Sequence, residues 1–493
     1  MVSMTERTER IRQNTAQPPV LSVSARLGRL QFHNSGKFRV LQFADVQDGP
    51  KVAKDTIRLI EAALTSSRPD VVIFSGNQIA GYNDAYAATY CQRRWATRRN
   101  APIPRDPARR EADLAHTRDL VRQTISQITA PLVKYGVPWA ITFGNHDFQC
   151  GLSNAEIEAI CCEFPGCLNV ASASTTDACK TPAKARTQAQ KAAEGDISAD
   201  TSVDTGSQVE NKTTGAQDAS AAEPKACANC EHPQPQPVRD MAHQVVYPCE
   251  PGTLALPVAS ADEDHHTVMG LVLVDSGDYS INGGYGAPTA CAMKFLSNMP
   301  QAFGEHVRSI VFQHTALPQF YELLEPAQST AAHAVEGYRA FSGQYYVLDE
   351  SAVEPGGFIG EGISCPDVDS GEFDLLHKTQ GYFAVSVGHD HRNAIDGLVR
   401  GIRLIETPTC GFGSYGPVPA KRAARLLEFD IRHPFNPRSQ LLEFGELVGK
   451  PSSKKAYAYG MTSASKSESE GVDLLHKPSW ISRLLHRFAM RLR

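Results

Sequence analysis

The sequence has no apolar run long enough to cross a bilayer. Its longest runs, such as Val71–Phe74 and Leu271–Val274, are strand length, against the ~20 residues that a spanning helix needs. It also lacks an excess of positive charge. There are 49 Lys and Arg against 54 Asp and Glu, a formal net charge of −5. The global electrostatic footprint of a nucleic-acid binder is therefore absent. The first twenty residues are polar and contain no hydrophobic region of the signal-peptide kind. There is no Gly-x-Ser-x-Gly and no Gly-x-x-x-x-Gly-Lys-Ser/Thr. A nucleophile-elbow hydrolase and a phosphate-loop nucleotidase are thereby set aside, and Cys91 and Cys150 show no activating partner.

What is present is a chain of 493 residues with 41% hydrophobic and 21% charged composition. That excludes a collagen-like, wholly disordered or small disulfide-stapled protein. Twelve cysteines in so long a chain point to a reducing, cytoplasmic setting with incidental thiols. Cys227-Ala-Asn-Cys230 has the spacing of a zinc knuckle. It sits in a Gln/Pro/Ala-rich stretch without a clean second pair, so free thiols are the expectation there too.

Residues 1–36 read as a polar N-terminal tail. From Lys37 a strand (Phe38–Phe43), a helix carrying Val52, Leu59, Ile60, Ala63 and Leu64, and a strand (Val71–Phe74) follow one another. A second helix within 111–135 and a strand at Val137–Phe143 complete an α/β alternation. Residues 171 to about 240 are polar and low in large apolar residues, which predicts a disordered insertion. Order is expected again at Thr267–Val274, then a helix started by Pro288, then strands at Ser309–Phe312, Tyr382–Val387, Gly401–Glu406 and Ala424–Ile431. Residues 436–478 read as a linker. In 479–493, Trp480, Ile481, Leu484, Leu485, Phe488 and Leu492 form an apolar stripe beside Arg483, Arg487, Arg491 and Arg493. That pattern predicts a basic amphipathic helix able to touch an anionic membrane surface.

Residues of metal-binding type recur at the C-terminal ends of the predicted strands. Asp45 and Gln47 follow the first, Asn77 the second, and Asn145, His146 and Asp147 the third. His314 and then His389, Asp390 and His391 follow two later ones. In α/β sheets such strand ends converge on one crevice. Gly76, Gly144 and Gly388 each precede a candidate ligand, allowing close backbone approach. Tyr82 and Tyr415 lie just past strands and are expected to be packing residues.

The ordered set Asp45-x-Gln47, Gly76-Asn77, Gly144-Asn145-His146-Asp147, His314 and Gly388-His389-Asp390-His391 resembles the calcineurin-like metallophosphoesterase superfamily. Its pattern is D-x-H, G-D, G-N-H-D/E, H and G-H-x-H. The stretches KFRVLQFADVQ, VLVDSGDYS and TCGFGSYGPVPAKRAARLLEFD resemble its purple-acid-phosphatase-related branch. The resemblance covers about residues 37–435 and implies an α/β four-layer sandwich, two mixed β-sheets flanked by helices. It also implies two divalent metal ions (manganese, iron or zinc) and hydrolysis of a small phosphomonoester, phosphodiester or nucleotide by metal-activated water. Asp45 and His391, helped by Gln47, would hold one ion. Asn145, His314 and His389 would hold the other, and position 77 would bridge them. His146, paired to Asp147, would serve the leaving oxygen. Nothing in this sequence matches the tyrosinate ligand that colours some relatives.

Two positions depart from the pattern. Gln47 stands for a His, and Asn77 stands for the bridging Asp. An amide has one good acceptor oxygen and no charge, so the dinuclear site should be weaker. Asp48 is a candidate to restore the lost charge. An active phosphoesterase is the favoured reading; a catalytically impaired binding or regulatory protein is the alternative.

Overall fold

The computed structural model describes residues 19–94, 106–171 and 228–452. The tail 1–18, most of the insertion, the end of the linker and the basic segment 479–493 lie outside the described residues.

A short helix α1 (Val23–Leu27) precedes strand β1 (Lys37–Phe43). Helix α2 (Lys54–Ser67), strand β2 (Val71–Ser75), helix α3 (Pro107–Tyr135) and strand β3 (Trp139–Thr142) follow, and β1, β2 and β3 run parallel. Helix α2 ends where Arg68 turns left-handed, and Pro69 has no N–H with which to continue it. Alternate residues of the strands serve two cores. Leu41, Phe43, Val72, Phe74 and Ile141 pack against Leu59, Ile60 and Leu64 of α2 and Val121, Ile125 and Ile128 of α3. Phe38, Val40, Val71, Ile73 and Ala140 point the other way, into the space between two sheets.

The second sheet is built mostly from the later chain. Helix α4 (Asn154–Cys161) is capped by a reciprocal Ser153–Glu156 box. After the insertion come helix α5 (Ala228–Glu231) and strands β4 (Gln236–Val238), β5 (Met241–Glu250), β6 (Thr253–Ala259) and β7 (Thr267–Leu273). Helix α6 (Ala290–Phe303), strand β8 (Arg308–Phe312), a small sheet of β9 (Leu324–Ala327), β10 (Val335–Glu336) and β11 (Tyr345–Leu348), and helix α7 (Glu372–Thr379) follow. Strands β12 (Tyr382–Val387), β13 (Ile395–Val399) and β14 (Ile402–Glu406) complete a mixed eight-stranded sheet, order β13-β14-β12-β8-β7-β6-β5-β4. Strands β15 (Ala423–Asp430) and β16 (Arg438–Glu443) return to the first sheet, order β16-β15-β1-β2-β3, before helix α8 (Phe444–Leu447). Leu271, Leu273, Ile310, Phe312 and Phe383 meet Phe38 and Val40 in the sandwich. Helices α6 and α7 pack together over the second sheet, where the Tyr382 hydroxyl donates to the Leu296 carbonyl at 2.6 Å. The result is the expected α/β sandwich, two mixed sheets between helical layers. Among the described residues no helix is long and apolar enough to cross a membrane.

Several expectations are corrected. Residues 19–36 are not a solvated tail. Ser24 Oγ donates to Asp70 Oδ1 at 3.0 Å, His33 Nε2 lies 2.8 Å from the same oxygen, and Leu30 and Phe32 are fully buried. Residues 228–240, expected to belong to the disordered insertion, carry helix α5 and strand β4, and the antiparallel strands β4 to β6 precede the strand at 267. The beginning of the expected linker forms β16, which pairs along β15, and α8, whose Phe444 is buried. Helix α6 starts at Ala290, two residues after its proline signal, because Thr289 Oγ1 accepts from Ala292 N at 3.0 Å and caps it.

Replacing Phe32 by Ala should therefore lower stability by about 3–5 kcal/mol, the range for a buried phenylalanine. Urea unfolding checks this; a free tail would leave the midpoint unchanged.

Candidate metal centre

The C-terminal ends of the parallel strands β1, β2, β3, β8 and β12 deliver Asp45, Asn77, Asn145, His314 and His389 to one edge. All five are buried, as are Gln47, His146, Asp147 and His391. Their backbones are unusual. Asp45 (φ 52), Gln47 (φ 42), Asn77 (φ 52) and His389 (φ 74) occupy the left-handed region. Each such residue costs about 1–3 kcal/mol unless its surroundings enforce it, and such residues cluster at functional sites. Two of the flanking glycines are needed for space. A Cβ on Gly76 would lie 2.5 Å from His314 Nδ1, and one on Gly144 would lie 2.3 Å from Asn77 Oδ1.

The ring orientations leave lone pairs facing inward. His391 Nδ1 lies 2.8 Å from the Tyr415 carbonyl, which puts the proton there and turns Nε2 towards Asp45 Oδ1, 3.3 Å away. His314 Nδ1 lies 3.0 Å from the Ser75 carbonyl, turning Nε2 towards Asn145 Oδ1 at 3.1 Å. Asn145 is itself oriented from behind, since its Nδ2 donates to the Tyr279 hydroxyl at 2.8 Å. Gln47 Oε1 and His389 Nε2 are buried without a hydrogen-bond partner. Two acceptors in contact, and buried acceptors left alone, are unfavourable unless cations lie among them. The donor set therefore fits metal ions.

Asn77 does not fit in the expected way. Its Oδ1 accepts from His146 N at 2.9 Å, which fixes the amide. Its Nδ2 points into the cradle, 3.0 Å from Asp45 Oδ1, 3.1 Å from Asn145 Oδ1 and 3.0 Å from His314 Nε2. The NH2 group thus stands where the two ligand sets meet, and a donor occupies the place of a bridging acceptor. Asp48 does not compensate. It is turned away to Thr56 Oγ1 (2.8 Å) and Ala53 N (3.2 Å), and burial pushes its carboxyl up to about 6.

The remaining electrostatics follow from burial. Burial alone would raise Asp45, but His314, His391 and His389 around it outweigh that and hold it well below the ordinary carboxylate range. Burial pushes His146 down to about 3, so its ring is neutral. Its partner is Gln149, whose Oε1 lies 2.8 Å from Nδ1, and not Asp147 as the motif implied. Asp147 Oδ2 instead accepts from Asn77 N (2.9 Å) and Gly144 N (2.8 Å), and Oδ1 accepts from Ile79 N (3.1 Å). Burial raises it to about 7 despite these bonds.

An aromatic shell surrounds the cradle. Tyr415 stacks on His391 at 4.1 Å, Tyr285 meets His389 edge-on at 4.3 Å, and Tyr82 meets His146 edge-on at 4.9 Å. Tyr82 and Tyr415 pack as expected, but against imidazoles of the cradle. Tyr279, Tyr285 and Gln149 had no signal of their own in the sequence.

Residues 38–170 match the model of the calcineurin-like phosphoesterases. Over those residues the chain is similar to that family. It is 23% identical over 144 residues to the probable inactive purple acid phosphatase 28 of Arabidopsis thaliana, covering 26% of this chain and 28% of that protein. The match thus spans little more than a quarter of that relative. It is 20% identical over 425 residues to the probable inactive purple acid phosphatase 14 of the same plant, covering 82% of this chain and 78% of the relative. A solved dimetal phosphatase from Danio rerio aligns over 83% of this chain and 99% of its own, at 11% identity and a TM-score of 0.35.

Replacing Asp147 by Asn leaves one carbonyl oxygen for three N–H groups. Stability should fall by about 2–4 kcal/mol, the range for unmaking buried hydrogen bonds to a charged group. Manganese uptake should weaken in parallel. Urea unfolding and isothermal titration calorimetry read the two effects.

Proposed function

We propose that the chain is a metal-dependent phosphoesterase acting on a small phosphomonoester, phosphodiester or nucleotide. The observation that carries this reading is the facing of lone pairs in a buried cradle, Asp45 against His391 and Asn145 against His314. Asp45, Gln47 and His391 would hold one divalent ion, and Asn145, His314 and His389 a second. Nitrogen and oxygen donors of this kind suit manganese, iron or zinc. Ions held there supply charge neutralisation for the phosphoryl group and activation of water.

The residues of the chain supply position. Tyr279 keeps the Asn145 oxygen turned inward, and the Ser75 and Tyr415 carbonyls keep the His314 and His391 lone pairs turned inward. His146, held by Gln149, meets the leaving oxygen. An anionic phosphoryl group beside its ring raises its proton affinity from the low value that burial sets.

A second reading, a binding or regulatory protein with impaired catalysis, is favoured by the Asn77 amide. Its NH2 hydrogen-bonds the groups that cations would otherwise join. Turnover of p-nitrophenyl phosphate and bis-p-nitrophenyl phosphate with manganese, iron, zinc or a chelator separates the two. Rate that appears with metal and vanishes with chelator is expected. No turnover with any metal, and no metal in the purified protein, sinks the enzyme reading.

Asn77→Asp should sharpen the comparison. It places a second carboxylate beside Asp45, so without metal the variant should be less stable by about 1–3 kcal/mol. With manganese it should recover, bind metal at least about tenfold tighter, a gain of about 1.4 kcal/mol, and turn over faster. Thermal melts with and without chelator, together with the rate, check the sign.

A further inference from the structure

Three cysteines from three separate elements meet away from the nitrogen and oxygen cradle. Cys230 lies in α5, Cys249 near the end of β5 and Cys291 in the first turn of α6. Their sulfurs lie within 4.8 Å of one another; Cys230 and Cys249 are buried and Cys291 is half-buried. We propose that Cys230, Cys249 and Cys291 hold a structural zinc ion.

The geometry suits the ion. Zinc binds thiolate at about 2.3 Å in a tetrahedron, which sets its sulfurs about 3.8 Å apart. Small side-chain adjustments bring three sulfurs within 4.8 Å to that spacing. Soft thiolates select zinc over manganese or magnesium. Cys291 lies at the start of a fourteen-residue helix, where the exposed amides favour its thiolate form.

Other groups also hold the frame around the sulfurs. Asn298 Nδ2, on α6, donates to the carbonyls of Cys230 (2.8 Å) and Glu231 (3.0 Å) and ties α5 down. Thr289 Oγ1 donates to Glu250 Oε1 at 2.7 Å and joins the start of α6 to the end of β5. A four-residue helix has no stability of its own. An ion shared by α5, β5 and α6 would anchor α5 to the second sheet and its covering helix. Cys227 lies outside the described residues and is not counted in the site. No spacing in the sequence points to this cluster, because only β5 and α6 bring Cys249 and Cys291 to Cys230.

The test uses the purified full chain with cobalt(II) in place of zinc. Thiolate-to-cobalt charge-transfer absorption in the near ultraviolet is expected, persisting in His391→Ala and lost in Cys249→Ser and Cys291→Ser. In the unsubstituted protein, one equivalent of zinc should survive His391→Ala and be released when a mercurial titrates the thiols. That release keeps the proposal testable should the serine variants fail to fold. Absence of the charge-transfer band, its retention in Cys249→Ser, or a disulfide joining two of the three cysteines would overturn it. None of these outcomes depends on whether the cradle hydrolyses phosphoesters.

Discussion

The Asp147 carboxylate is the interaction on which the edge of the sandwich depends. One buried side chain gathers N–H groups from the loop after β2 and the loop after β3. Without it those loops would rest on the ties made by the Asn77 and Gln78 side chains, and Asn77, Asn145 and His146 would be less firmly placed. A fully buried carboxylate is expensive, as its raised proton affinity shows. Three backbone donors offset that cost, and they are donors that the loops would otherwise leave unsatisfied. The left-handed φ of Asn77 belongs to the same account. Its N–H is held by Asp147 and its side-chain oxygen by His146 N, so the strained backbone is fixed from two sides.

The parallel strands could be read in the sequence because buried strands are continuous apolar runs. Val71–Ser75 and Tyr382–Val387 are buried along their whole length, and such runs need no partner to be recognised. The segment 19–36 gave no such signal. Its burial rests on two apolar side chains, Leu30 and Phe32, and on hydroxyls that reach Asp70, which lies in a distant part of the chain. β16 was missed for a related reason. Its side chains are largely exposed or half-exposed, and its place comes from backbone pairing with β15.

In the site, residue types were legible and orientations were not. Asp45, Asn145, His314, His389 and His391 announce donors at strand ends, and the topology brings them together. Nothing in Gly144-Asn145-His146-Asp147 shows that Asp147 turns to backbone while Gln149 takes the imidazole, because that choice depends on which N–H groups the β2 loop presents. Likewise, the sequence shows that position 77 is an amide, but only the His146 N–H determines that its nitrogen rather than its oxygen faces the cradle.

That orientation changes the electrostatics of the whole edge. With Asp at 77, two carboxylates would stand within hydrogen-bond reach of each other, and only cations could hold them there. With Asn, one carboxylate, Asp45, is left beside the rings of His314 and His391 and an amide that donates to it. The cradle then keeps its shape on its own hydrogen bonds, and each cation that enters must displace the Asn77 donor from Asp45, Asn145 or His314. On the proposed reading, metal binding at this edge would be a competition between an internal donor and an external cation. Its outcome would rest on the difference between a hydrogen bond to a charged group, about 1.5–3 kcal/mol net, and the attraction of a divalent charge for a single buried carboxylate. Because Gln47 Oε1 and the His391 lone pair lie outside the reach of that donor, the ligand set of Asp45, Gln47 and His391 is the less obstructed of the two.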